Sequence, residues 1–209
     1  MKGLLLKDWY MMKKYCKAYL LIAAVFVALS LAGNENMFFV FYPCLLCGLI
    51  PTNLLGYDEQ SRWVAYSGTL PYTKAQIVSA KYLIGLSAQA AVLIVTGIAQ
   101  GIKMYMGGAF VLDDFIALML LMLTMATLTA SIPLPFIFKL GFEKGRTAYY
   151  IMIGFACGAS VLAEGLLRGQ LQHEIQMNMF LTVFAVIGFG IYLLSWYLSI
   201  VFYNKRDLQ

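Results

Sequence analysis

The sequence predicts an all-α membrane protein with six transmembrane helices. An interfacial amphipathic helix lies at the N-terminus, and a short cytoplasmic helix sits between spans two and three. Three observations predict this class. The 209 residues are 62% hydrophobic and only 12% charged, with mean hydropathy +0.78, whereas a soluble domain carries roughly 25% charged residues. The apolar residues form runs long enough to cross a bilayer, near 16–33, 37–57, 80–101, 114–138, 147–164 and 178–203. Finally, the basic residues alternate by side. Thirteen of them (Lys2, Lys7, Lys13, Lys14, Lys17, Arg62, Lys74, Lys81, Lys139, Lys144, Arg146, Lys205 and Arg206) fall on one side, against Lys103 and Arg168 on the other. The positive-inside rule places the thirteen, and with them both termini, in the cytoplasm. The six spans leave only short loops, so residues 1–209 read as a single transmembrane domain.

The elements follow in order. In residues 1–17, Leu4, Leu5, Tyr10 or Met11, and Tyr15 share a helical face, with Lys7, Lys13, Lys14 and Lys17 elsewhere. That pattern, with Trp9 and Tyr10 beside the lysines, suits a helix at the headgroup level, in contact with membrane lipid. The next stretch, with Ser30-Leu31-Ala32 near its end, could pass for a cleaved signal sequence, but the long amphipathic basic segment before it predicts a retained helix. Pro43 and Pro51 predict a kink in span two, and Pro133 with Pro135 a distortion at the end of span four. Gly154 and Gly158, and Ala126 and Ala130, place small residues four apart for helix packing, either inside the bundle or at a subunit contact. Thr124, Thr127 and Thr129 offer interhelical hydrogen bonds, and Asn53, Gln89 and Gln100 are the notable polar residues within spans.

The run from Tyr57 to Tyr82 is the most informative cytoplasmic segment. Asp58, Glu59 and Arg62 stand at spacings that pair on one helical turn, and Trp63 and Tyr66 share a face. Ser67-Gly68 ends that helix, Pro71 imposes a turn, and Thr73 with Gln76 forms a capping box opening the next helix. Two aromatics amid charges predict a docking surface. The second cytoplasmic block, 138–146, carries Lys139, Glu143, Lys144 and Arg146 between glycines.

Several function classes are excluded. No GxxxxGK[ST] occurs, so no phosphate-cradling loop for ATP. The single histidine, His173, forms no HExxH, and no GxSxG is present, so neither catalytic nor metal-ligating residues are assigned. Cys44 and Cys47 form a CxxC flanked by leucines, which reads as buried apolar cysteine rather than redox chemistry. The +5 charge lies in short blocks between spans rather than in a stripe, which argues against nucleic acid. No charged residue is placed deep in a span, unlike ion-coupled transporters.

MKGLLLKDWYMMKKY at the start, YDEQSRWVAYSGTLPYTKAQIVSAKY over 57–82 and PLPFIFKLGFEKGR over 133–146 resemble the permease subunits of bacterial type-2 ABC transporters, the ABC-2 family, in its small six-helix branch. The resemblance implies a coupling helix between spans two and three that docks on a separate ATP-binding subunit, with Asp58, Glu59, Arg62, Trp63 and Tyr66 as the docking surface. Lys139, Glu143, Lys144 and Arg146 would then form a second contact. It implies ATP and Mg bound by the partner, pairing with a second copy or a sibling permease, a bacterial cytoplasmic membrane, and export of cargo. Within the branch the chain is similar to permeases that export amphipathic peptides such as phenol-soluble modulins. The aromatic and methionine side chains of Phe38, Phe39, Phe41, Tyr42, Met119, Met122 and Met125 suit an amphipathic or lipid-like cargo. The alternative is a membrane-embedded scaffold or sensor that binds a cytoplasmic partner without transport.

Overall fold

A computed structural model describes residues 1–31, 37–67, 69–108, 110–151 and 177–205. Among these, the regular elements are helices: α1 (Lys2–Tyr15), α2 (Lys17–Leu31), α3 (Met37–Gly48), α4 (Ile50–Gln60), α5 (Trp63–Ser67), α6 (Lys74–Met106), α7 (Leu112–Ser131), α8 (Pro133–Leu140), α9 (described over 142–151) and α10 (Met177–Lys205). Among the described residues, four stretches are long and apolar enough to cross a membrane: Phe38–Gln60, Lys74–Met106, Leu112–Leu140 and Thr182–Lys205. The pair α1 and α2 passes the same test only as a unit bent by 66°. Most of the predicted fifth span, 147–164, lies outside the described residues, as do Gly154, Gly158, Cys157, Arg168 and His173.

The bend after α1 separates two kinds of helix. The face that α1 buries is Leu4, Asp8 and Met12, one residue every four. Of the expected face, Leu5 and Met11 also pack against the core and Tyr15 stacks on Tyr57 of α4 with ring centroids 4.5 Å apart, whereas Tyr10 points outward. A spacing of four keeps side chains on one stripe of a helix, and that stripe includes an acid. Beyond Cys16, α2 is apolar and runs against α3, where Phe26 packs on Tyr42 with ring centroids 4.5 Å apart.

The prolines act where expected. α3 contains Pro43 and gives way to α4 at Gly48-Leu49, with Pro51 in the first turn of α4. Asn53 does not reach across the bundle but donates from Nδ2 to the Leu49 carbonyl of its own helix, 3.0 Å away. α7 gives way to α8 at Ile132. Pro135 has no N–H to donate to the carbonyl of Ser131 four residues earlier. That carbonyl instead accepts the Ser195 hydroxyl of α10 at 2.5 Å. Because Ser195 uses its only proton there, the Tyr82 hydroxyl must donate to Ser195 at 2.7 Å, and Ser199 in turn to Tyr82 at 2.7 Å. Tyr192 donates to the Tyr82 carbonyl at 2.8 Å, and Trp196 Nε1 to Ser79 Oγ at 3.0 Å. This polar hub joins α6, α7 and α10 inside a core that includes Val78, Leu134, Phe138 and Tyr203.

Other polar residues divide between helices. Gln89 donates to the Ala126 carbonyl, and Gln100 to Ser30 Oγ at 3.0 Å, tying α6 to α7 and α2. The threonines of α7 depart from expectation. Thr124, Thr127 and Thr129 each bond a carbonyl four residues back in their own helix, at 2.7, 3.0 and 2.7 Å. A hydroxyl on Cβ reaches that carbonyl without leaving the helix. Ala126 and Ala130 are buried in the bundle interior. Met122 is core as well, so it forms no wall, whereas Met125 and Phe38 face outward. Cys16, Cys44 and Cys47 are buried free thiols.

Ser195→Ala orphans the Ser131 carbonyl, whereas Ser199→Ala removes only the terminal donor to Tyr82. We expect Ser195→Ala to lower stability by roughly 1–2 kcal/mol and Ser199→Ala by less. Thermal unfolding of the two variants in detergent checks the order, and equal losses would reject the role given to Pro135.

Candidate functional site

The end of α4 carries two adjacent acids that do different jobs. Asp58 turns inward and Glu59 sideways, because successive helical residues stand about 100° apart. Asp58 is only 3% exposed. Its Oδ1 accepts from Lys7 Nζ at 2.7 Å, and its Oδ2 pairs with Lys81 Nζ at 2.6 Å. Lys81 also donates to Asp8 Oδ1 at 2.6 Å, and Lys7 lies 3.2 Å from the same oxygen. Two ammonium groups and two carboxylates thus form a closed, neutral cluster, in which Asp8, Asp58 and Lys81 are almost fully buried. The Lys7 ammonium also stands 4.2 Å from the ring centre of Trp63, a cation–π contact. The cluster therefore connects α1, α4, α5 and α6.

This corrects the predicted pairing of Asp58 and Glu59 with Arg62 on one helical turn. α4 ends at Gln60, and Arg62 has φ 52°. Left-handed backbone breaks the helix there, and Asp58 makes its ion pairs with Lys7 and Lys81 instead. Asp58, expected on a docking surface, belongs to the interior, since burying it with two lysines satisfies its charge. Arg62 and Tyr66 are exposed, and Trp63 is half-buried. Trp63 and Tyr66 share a face as expected, with ring centroids 5.5 Å apart. Past the turn, Thr73 and Gln76 form the predicted capping box, with reciprocal bonds of 3.3 and 3.2 Å.

Glu59 faces the second block. Its Oε2 accepts the Phe142 backbone N–H at 2.7 Å, at the start of α9, where a helix presents unpaired N–H groups and favours negative charge. The chain reaches this position through Gly141, whose φ of 88° favours glycine. The Phe142 ring lies against Gly56, so closely that a Cβ on that glycine would stand 2.7 Å from it. The two blocks, expected as separate contacts, are thereby joined to each other. Between them lies a groove of about 490 Å³ lined by Gly56, Glu59, Gln60, Phe142, Lys144 and Arg146. Glu143, Lys144 and Arg146 are exposed, with the Arg146 guanidinium 5.2 Å from the Phe142 ring. Lys139 is exposed at the end of α8, 5.1 Å from the Phe202 ring of α10.

Lys7, Asp8, Lys81, Gly56 and Phe142 were not singled out from the sequence. Two of them left a signal. Asp8 falls on the stripe Leu4–Asp8–Met12, and Lys81 stands four residues after Ile77 and three before Ile84. An opposite charge on each of two apolar stripes is the mark of a buried pair. Among the described residues, no group of three or more His, Cys, Asp or Glu could hold a metal ion.

Lys81→Met would leave Asp8 and Asp58 buried together with only Lys7 to offset them. We expect it to cost about 3–5 kcal/mol, read as a fall in thermal midpoint. Adding Asp58→Asn should recover part of the loss, whereas additive losses would show that the four groups do not act as a set.

A family model described as ABC-2 family transporter protein matches residues 3–204. No curated protein and no solved structure matches the chain.

Proposed function

The chain belongs to the ABC-2 transporter family, and from that premise we propose that it is the permease subunit of an ATP-driven exporter. In this reading ATP and Mg are bound and hydrolysed by a separate ATP-binding subunit. That subunit docks on the surface formed by Arg62, Trp63 and Tyr66 together with Lys139, Glu143, Lys144 and Arg146. The observation that carries the reading is the Glu59–Phe142 bond, which joins both segments into one surface. Behind it, the Lys7–Asp8–Asp58–Lys81 cluster ties that surface to the long α6. A push on α5 then moves α4, α1 and the cytoplasmic end of α6 as a body, in the manner of rigid-element transitions. Asp58 and Glu59 serve as internal links rather than as contacts with the partner.

The full reading has six spans in one domain over residues 1–209, with α1 in the cytoplasmic interface and both termini in the cytoplasm of a bacterial cell. The distribution of Lys and Arg supports it. A second copy or a sibling permease completes the pathway, with Gly154 and Gly158 available for helix packing. The cargo is an amphipathic peptide or lipid-like molecule. Exposed Phe38 and Met125 are consistent with that chemistry.

Arg62→Gly with Tyr66→Ala tests the docking surface without touching the buried cluster. Glycine also relieves the left-handed backbone at 62, worth about 1 kcal/mol, which offsets the lost Trp63–Tyr66 ring contact, so the thermal midpoint should stay close to the parent's. Co-purification with a co-expressed ATP-binding subunit should be lost, and with it permease-dependent ATP hydrolysis. Retained association and activity would move the docking site elsewhere. A parent chain that captures no ATP-binding subunit would favour the scaffold.

A further inference from the structure

The geometry points to the outer face of α1 as a docking surface for anionic phospholipid headgroups. The inference deepens the membrane placement proposed above and depends on it for the leaflet, but it does not depend on an ATP-binding partner. Asp8 is the only acid among residues 1–17. It is 1% exposed and is matched by Lys81 and Lys7 inside the cluster. The outer face therefore has no carboxylate of its own to offset its lysines. At 3.6 residues per turn, Lys2, Leu6, Trp9, Tyr10, Lys13 and Lys14 fall on one side of the helix, opposite Leu4, Asp8 and Met12. All six are exposed, and Lys17 follows at the bend.

The mixture on this face decides what it fits. A merely solvated basic face would not also present Leu6, Trp9 and Tyr10, with Tyr10 64% exposed. The Lys13 ammonium lies 5.1 Å from the Trp9 ring, so cation and aromatic share the same depth on this face. Aromatic rings favour the headgroup boundary, and each lysine near an anionic leaflet is worth about 1 kcal/mol. An acidic protein partner would satisfy the lysines but gives no reason for the face to run on, through a 66° bend, into the apolar α2. A lipid surface satisfies both. The same helix contributes Lys7 and Asp8 to the cluster with Lys81 and Asp58, the neighbour of Glu59. Headgroups bound outside thus hold α1 in its seat and stabilise the surface beyond it.

The test uses the purified full chain in neutral detergent, titrated separately with phosphatidylglycerol and with phosphatidylcholine. Native mass spectrometry reads retained lipid, and unfolding reads the thermal midpoint. We expect preferential retention of phosphatidylglycerol and a raised midpoint with that lipid only. Changing Lys2, Lys13, Lys14 and Lys17 together to Gln should reduce the preference at least about tenfold, with the midpoint in phosphatidylcholine unchanged. The same four positions changed to Arg should keep the preference. Equal retention of the two lipids by the parent chain would overturn the proposal, and so would a preference that survives in the glutamine variant. Should the glutamine variant unfold early, Lys13→Gln with Lys14→Gln carries the same comparison. Either result is independent of whether an ATP-binding subunit associates.

Discussion

Taking charges out of water is costly, and Lys7, Asp8, Asp58 and Lys81 are accommodated only as a set. Each carboxylate meets an ammonium at 2.6 or 2.7 Å, and the four charges sum to zero. An assembly of this kind stabilises little in total, because desolvation offsets most of the attraction. Its effect is to specify position. Asp8 can sit in the interior only if α1 lies where Lys81 can reach it, and Asp58 only if the end of α4 meets the same lysine. The places of α1, α4 and α6 are therefore decided together, and Trp63 of α5 is held over Lys7.

A second constraint comes from proline. Helices that cross a membrane must satisfy their backbone internally, and each proline removes one N–H from that account. At Ser131 the missing bond is supplied by Ser195 of a different helix, so the break between α7 and α8 is also a junction with α10. The hydroxyl of Tyr82, buried between two serines, extends that junction to α6. α6 thus carries the ion cluster at Lys81 and the polar hub at Tyr82 on adjacent residues.

The two faces of α1 and the two acids of α4 illustrate a common division. Asp8 faces inward while Lys13 and Lys14 face out, and Asp58 faces inward while Glu59 reaches α9. In each helix one side is used for anchorage and another for contact with neighbouring structure. The basic excess that serves as a topology signal in the sequence is thus partly internal. Lys7 and Lys81 are engaged with acids, and Lys2, Lys13, Lys14 and Lys17 remain outward.

Much was determined by the sequence alone. Apolar runs and base distribution specify a helical membrane protein, Thr73 and Gln76 specify the start of α6, and Pro51 and Pro133 specify breaks. These are local properties, set by propensity, capping and solvation within a few residues. The motif over 57–82 likewise indicates the family, later shown by the match over 3–204. The tertiary structure alone decided the partners. Asp58 is separated from Lys7 by 51 positions and Asp8 from Lys81 by 73. Glu59 and Phe142 are 83 apart. The charge pairs could equally have formed within a helical turn, as Asp58 and Arg62 were expected to do. The left-handed turn at Arg62 and the packing of α1 against α6 removed that option. Burial ranks possible partners by which can approach without leaving another charge unmatched, and that is a property of the assembled bundle rather than of any one segment.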